Sequence, residues 1–217
     1  MNILYFDTST DWIVVQVWNL SSQKIIYSFK QSCPKEASFR LTKEIKNALN
    51  VSEISKPDLI VVSKGPGSFT GIRISVSTAR NLAQLWKIPC FGLDTLEVYL
   101  DYYLTISKYK STIVLIDGKM KKFFFRMNDQ AHIPKTEDLT IQEIQQKIQN
   151  FPDKEWNIIC NSILDIQYKT LDLNEDYPDI QGSILFKKLD FFLDKDKSKE
   201  YNYTNLLPNY MRGTYVD

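Results

Sequence analysis

The narrowest constraint on this chain lies between Asp58 and Trp86, where an apolar strand pattern passes through a glycine-rich turn into a helix pattern. Asp58-Leu59-Ile60-Val61-Val62 is the β-branched, unbroken run of a buried strand, and Ile72 to Trp86 carries apolar residues at helical spacing. Between them, Gly65, Gly67 and Gly71 place three of the chain's seven glycines within seven residues. Glycine at a strand-to-helix turn permits positive φ and lets another backbone, or an anion, come close. From the loop alone both readings stand: a phosphate cradle, or a tight βα turn with no ligand.

The flanking sequence predicts alternating strands and helices. Asn2–Phe6, Trp12–Trp18 and Lys24–Lys30 read as a meander of strands opening on the polar turn Asp7-Thr8-Ser9-Thr10. Glu36–Asn50 reads as a helix with Ala37, Leu41, Ile45, Ala48 and Leu49 on one face. Pro89–Leu93 is a short strand, followed by a helix to about Leu104 capped by Asp94 or Thr95. The pattern then restarts: strands at Ser111–Ile116 and Lys121–Met127 flank the turn Asp117-Gly118-Lys119. Thr140–Gln149 and Ile184–Leu193 read as helices, with a strand at Trp156–Cys160. Two strand–Asp–turn–strand openings suggest a duplicated α/β domain with mixed sheets covered by helices.

Bulk charge excludes some functions. With 27 basic and 26 acidic side chains the net charge is +1, and no long basic stripe marks a nucleic-acid-binding chain. Lys119, Lys121, Lys122 and Arg126 form a modest cluster, and Lys195–Lys199 mixes signs; both read as solvated surface. Cys33, Cys90 and Cys160 are far apart and in no CxxC pattern, as expected of reduced cytosolic thiols. The N-terminus has no basic n-region or long apolar core, and no run of eighteen apolar residues occurs, so a cytoplasmic protein without signal peptide or membrane span is expected.

Taken with its flanks, the loop resembles the TsaB (YeaZ) family, the non-catalytic partner in bacterial tRNA threonylcarbamoyladenosine synthesis. That family opens with a strand ending in Asp-Thr-Ser or Asp-Thr-Ala, here Asp7-Thr8-Ser9. Its Gly-Pro-Gly-Ser-Phe-Thr-Gly-Leu/Ile-Arg signature stands here as Gly65 to Arg73 without a mismatch. A small-residue strand follows, here Ile88 to Leu96; an Ile/Leu-Asp pair opens the second lobe, here Ile116-Asp117; and Pro-x-Tyr-x-Arg closes the chain, here Pro208 to Arg212. The resemblance implies an α/β actin-like ATPase (sugar kinase/Hsp70/actin) fold of two lobes, the second shortened. The expected division is 1–105, 106–205, and a segment 206–217 returning to the first lobe.

The same resemblance implies a partner, not an enzyme. Such chains pair with TsaD and work with the ATPase TsaE, moving a threonylcarbamoyl group onto N6 of adenosine 37 in tRNAs that read codons beginning with A. It implies a heterodimer with TsaD, a homodimer when alone, and contact with tRNA only through the complex. The catalytic relative holds its metal through His-x-x-x-His, a spacing that puts two imidazoles on one helix face. Matching the preceding strand puts Thr95 and Tyr99 there, and the one histidine, His132, falls in a loop, so no metal and no cofactor are expected. Asp7 and Thr8 are the candidate weak nucleotide contacts, Asp7 alternatively capping its turn. Gly65, Gly67 and Gly71 are expected to be architectural. Two departures stand out. Ala37-Ser38 replaces an early His-Ser or His-Thr pair, and Gly118 to Phe124 lacks the acidic residue common after Asp117.

Ile72, Val76, Ala79, Ala83 and Trp86 form one stripe on the second helix. It fits burial within the monomer, or a partner face shared with Phe39, Leu41 and Ile45 of the first helix. The partner face is carried here as the candidate interface, with Ile74 and Leu82 as alternative sheet-facing positions. A small-molecule kinase or ATPase is the competing enzyme reading, disfavoured because Cys160-Asn161-Ser162 stands where an adenosine clamp would want glycines. Direct tRNA binding is disfavoured by the near-zero charge. Ser68 has no evident base, which counts against a peptidase.

Overall fold

A computed structural model of the chain describes residues 1–106, 111–128, 135–164, 168, 170–175, 177–178 and 202–212. His132, the predicted helix Ile184–Leu193 and the Lys195–Lys199 run lie outside these residues. The fold is mixed α/β, in two compact units: Met1–Leu93 with Gln181–Tyr210, and Asp94–Ile180 with Met211–Asp217.

In the first unit, β1 (Asn2–Asp7), β2 (Trp12–Asn19), β3 (Lys24–Ser32), β4 (Leu59–Ser63) and β5 (Cys90–Leu93) form a sheet in the order β3-β2-β1-β4-β5. The first three pair antiparallel, and β4 and β5 add in parallel. Two helices, α1 (Ala37–Val51) and α2 (Phe69–Trp86), provide the crossovers that parallel neighbours need. Alternation along the strands sends Leu4, Phe6, Ile60 and Val62 into one core with the helices. The other face is buried as well, with Tyr5 and Trp18 stacked at 5.3 Å.

The helix stripe belongs to that core. Ile72, Val76, Ala79 and Ala83 on α2, and Leu41 and Ile45 on α1, are at most 4 % exposed and pack on the sheet. The expectation of a partner face at these six positions is therefore corrected. Small side chains let α2 lie close to the strands, and that use consumes them. Trp86 is half-buried against the same core, as are Ile74 and Leu82, and only Phe39 of the proposed face stands clear in solvent.

In the second unit, α3 (Thr95–Ile106) starts under an Asp94 cap, the carboxylate accepting from the Glu97 N–H at 3.0 Å. Strands β6 (Ser111–Asp117), β7 (Lys122–Asn128), β8 (Glu137–Thr140), β9 (Trp156–Cys160) and β10 (Thr170–Asp172) form a sheet in the order β10-β9-β6-β7-β8. Read from β8, this repeats the first sheet: two antiparallel pairs, then two parallel ones. Helix α4 (Ile141–Gln149) takes the place of α1, with a Thr140–Glu143 capping box. Only nine residues connect β9 to β10, where the connection from β4 to β5 holds the 18-residue α2, so the second copy is shortened. The units divide before α3, not near residue 105, because α3 packs on β6 and β7.

Replacing Ala79 by Glu tests the core assignment. An unpaired carboxylate at a fully buried site on the sheet, with the overpacking it brings, should remove more than about 5 kcal/mol, the whole stability of a marginal domain. Circular dichroism and urea titration should find the variant largely unfolded; a folded, partner-deficient monomer would return the stripe to the surface.

Candidate functional site

The glycine loop is built around one close approach. A Cβ on Gly71 would sit 1.8 Å from the Thr8 carbonyl oxygen, and one on Gly67 would sit 2.2 Å from that of Ser9. The first turn of α2 is therefore pressed on the β1–β2 turn at a distance only glycine allows. Hydrogen bonds fix it there: the Ser68 N–H donates to the Ser9 carbonyl at 2.6 Å, and the Thr8 hydroxyl donates to the Gly71 carbonyl at 2.7 Å. Ser68 caps α2, its hydroxyl accepting from the Gly71 N–H. Gly65 has φ +103 and meets Ile72 and the Asn209 carbonyl, so it needs glycine for both its backbone and its surroundings.

This closure decides what Asp7 and Thr8 do. Asp7 accepts the Ser9 N–H at 2.7 Å and caps the turn. Asp7, Thr8 and Ser9 are all fully buried. Both side chains are out of solvent and engaged within the chain, Asp7 on the Ser9 N–H and Thr8 on the Gly71 carbonyl, which speaks against the expectation that they contact a nucleotide. The closing motif joins the same construction: the Asn209 N–H donates to Lys64, and the Tyr210 ring lies 4.9 Å from that of Phe69.

Helix α3 carries Thr95 and Tyr99 one turn apart, both fully buried. The Tyr99 hydroxyl bonds to that of Tyr177, and their rings meet edge to face. Among the described residues, no cluster of three His, Cys, Asp or Glu side chains is arranged for a metal ion. Burial raises the pKa of all three thiols, that of Cys90 to about 11, so none is poised as a thiolate nucleophile.

The second unit repeats the turn with different fastenings. Asp117 accepts the Lys119 N–H at 2.7 Å, as Asp7 accepts that of Ser9. The Lys119 ammonium adds an ion pair at 2.7 Å, and the Asp117 N–H donates to Asn161 at 2.7 Å. Burial alone would raise the Asp117 carboxyl, but the Lys119 bonds and the Lys119 and Arg212 charges hold it below the usual range. Arg212 grips Asp138 with two nitrogens, at 2.6 and 2.5 Å, and donates to the Gly118 carbonyl at 2.7 Å. The cluster read as solvated surface is exposed at Lys119 and Lys121, and only Arg126 departs from that reading. Lys119 and Lys122 pair with Asp117 and Asp138, and Arg126, only 12 % exposed, lies between Asp94 and Glu97.

Outward-facing side chains complete the inventory. Phe39, Val51 and Leu85 are more than 60 % exposed on α1 and α2. Arg73 and Arg80 share another flank of α2 with Ser77 and Gln84, opposite Tyr203 and Tyr210. Sequence reasoning missed this flank, although the seven-residue spacing of its arginines on a helix without acids was readable.

A family model described as "TsaD: tRNA N6-adenosine threonylcarbamoyltransferase" matches residues 30–156, more than half of the chain. The tRNA threonylcarbamoyladenosine biosynthesis protein TsaB of Buchnera aphidicola subsp. Schizaphis graminum is 37 % identical over 125 residues, 57 % of this chain and 58 % of that one. This match spans less than two thirds of the relative. The protein of the same name from Buchnera aphidicola subsp. Acyrthosiphon pisum is 28 % identical over 225 residues, 98 % of each chain. The solved YeaZ from Pseudomonas aeruginosa superposes with a TM-score of 0.72 at 17 % identity, covering 97 % of this chain and all of that one, a likeness of fold.

Two measurements check the site. Gly71→Ala should destabilise the protein by about 1–3 kcal/mol in urea titration, because the backbone must separate to admit a Cβ; unchanged stability would remove the closure argument. The Arg212 hydrogen bonds, first among the causes, hold the Asp138 carboxyl below its usual range. Its contribution should be present at neutral pH and lost as pH falls below about 4, through the depressed folded-state value. Asp138→Asn should lower stability at pH 7 and flatten that acid limb; an unchanged limb would mean that the pair does not couple to folding.

Proposed function

The chain belongs to the TsaB (YeaZ) family, and we propose that it is the non-catalytic partner that binds and activates TsaD in tRNA threonylcarbamoyladenosine biosynthesis. The modified position is adenosine 37 of tRNAs that read codons beginning with A. In this reading TsaD carries the metal and the transfer chemistry, TsaE joins through the complex, and the chain works in the cytoplasm.

The observation that carries the proposal is the closed turn. Where this fold would expose a strand-end carboxylate to phosphate, Asp7 is fully buried and spent on its own backbone. Thr95 and Tyr99, where the catalytic relative has its imidazoles, are buried with the tyrosine engaged by Tyr177. A small-molecule kinase or ATPase would need both hairpins open. The peptidase alternative has no support from Ser68, whose hydroxyl caps a helix.

With the small-residue stripe spent on the core, the docking face is assigned to the exposed apolar side chains of α1 and α2: Phe39 at 66 %, Val51 at 64 % and Leu85 at 72 %. Large apolar groups in water favour a partner that covers them, and an ordinary stable interface buries roughly 1,600 Å² in total. The same face serves a homodimer until TsaD displaces the second copy.

Reconstitution tests this. A purified TsaD and TsaE mixture with unmodified tRNA, threonine, bicarbonate, ATP and the enzyme that makes the adenylate should form the modified nucleoside only when this chain is added. Phe39→Asp with Leu85→Asp should leave the fold intact and weaken co-purification with TsaD at least about tenfold. Equal modification without the chain, or ATP turnover by the chain alone, would sink the proposal.

A further inference from the structure

Helix α2 has a basic flank that neither the core nor the docking face uses. Its 18 residues include Arg73 and Arg80 and no acid. Their seven-residue spacing puts the two on one side, two turns or about 10 Å apart along the axis. They line a groove of about 310 Å³ with Ser77 and Gln84, closed on the other side by Tyr203 and Tyr210. Among the described residues neither arginine has an acidic partner within ion-pair distance. The other arginines of the described residues, Arg40, Arg126 and Arg212, all have one. Arg73 closes the glycine-loop signature, yet the close approach that explains its glycines makes no use of a guanidinium.

An aromatic platform adjoins the groove. The Phe69 ring is 49 % exposed, with the Arg73 guanidinium 5.3 Å from its centroid and the Tyr210 ring beside it at 4.9 Å. Guanidinium groups and the Gln84 amide offer donors for phosphate oxygens; the exposed ring offers a face on which a base stacks. An acidic helix would use the charges and leave the ring without a role. A lone nucleotide would reach one arginine at a time, since the pair is about 10 Å apart. A single strand with phosphates at successive positions and unstacked bases uses both features together.

We propose that the groove between α2 and residues 203–210 binds a single-stranded segment of RNA, with Arg73 and Arg80 on its phosphates and Phe69 against a base. The inference rests on the reading of the chain as part of a tRNA-modifying complex, and adds a contact made by this chain itself. The net charge of +1 does not oppose it, because the charge balance of the whole chain does not describe one helix flank.

Fluorescence anisotropy of the full chain with a labelled single-stranded oligoribonucleotide, at about 50 and about 200 mM salt, tests the proposal. Binding should be saturable and weaken with salt. Arg73→Ala with Arg80→Ala should reduce affinity at least about tenfold and lower the slope of log affinity against log salt by about 1.4, for two lost contacts to a single strand. Phe69→Leu should weaken binding with the slope unchanged. Circular dichroism of each variant checks the fold, and the charge-reversed pair Arg73→Glu with Arg80→Glu repeats the test independently. Absence of salt-dependent binding by the wild type, or equal binding by the double variants, overturns the proposal. So does displacement of the RNA by ATP or by polyglutamate as readily as by unlabelled RNA. Co-purification with TsaD is measured in parallel. The arginine variants should retain it, and their loss of TsaD with RNA binding intact would make the groove a protein interface. Failure of the wild type to bind TsaD, with RNA bound, would instead overturn the partner reading and leave this one standing.

Discussion

At the start of α2 two backbones come so close that no side-chain carbon fits between them: Gly67 and Gly71 lie against the carbonyls of Ser9 and Thr8. Much of the first unit depends on that approach. It sets the direction in which α2 leaves β4, and so brings Val76, Ala79 and Ala83 down on the sheet with almost no exposure. The glycine loop also lies against the turn that follows β1, where Asp7 caps its own loop. The glycines are thus required by contact, and Gly65 and Gly67 also stand at positive φ, +103 and +157. A bound anion is not needed to account for them.

Most elements of this architecture were legible in sequence, because long apolar patterns state their own period. The exceptions have physical reasons. Strand β8, Glu137-Asp138-Leu139-Thr140, holds one apolar residue, and β10 is three exposed residues; each is a strand only because a neighbour supplies the ladder. The stripe on α2 was legible as apolar, but sequence left open whether the sheet or a partner covers it. Periodicity says which side of a helix avoids water, but small residues suit a sheet and a partner helix equally well. Once the sheet had claimed Ala79 and Ala83, the partner face had to be sought among scattered large residues such as Leu85, which no stripe announces.

Charge was the least legible quantity. Lys122 and Arg126 look like part of a basic patch along the chain, but their partners arrive from elsewhere: Asp138 on the strand that the pattern hid, and Asp94 at the cap of α3. Arg212 stood out in the closing Pro-x-Tyr-x-Arg pattern, while its partner lies 74 residues away. The converse holds at Arg73 and Arg80, where a helix without acids leaves two guanidiniums unneutralised in a chain that is electrically balanced overall.

The two units fasten the same turn by different means, and the difference has consequences. At Asp7 the turn is held by backbone packing and hydrogen bonds under full burial, interactions that salt barely screens. At Asp117 the turn carries three successive left-handed residues, Lys119, Met120 and Lys121, each costing on the order of 1–2 kcal/mol relative to ordinary backbone. Ion pairs offset that strain: Lys119 on Asp117, and Arg212 gripping both Asp138 and the Gly118 carbonyl. These bonds are partly exposed and involve carboxylates, so acid and salt weaken them while leaving the first turn untouched. A duplicated topology therefore does not give duplicated behaviour. The copy packed against the glycine loop is fixed by shape, and the copy without that loop is held by charge, which makes the Asp117 turn the more responsive of the two to its surroundings.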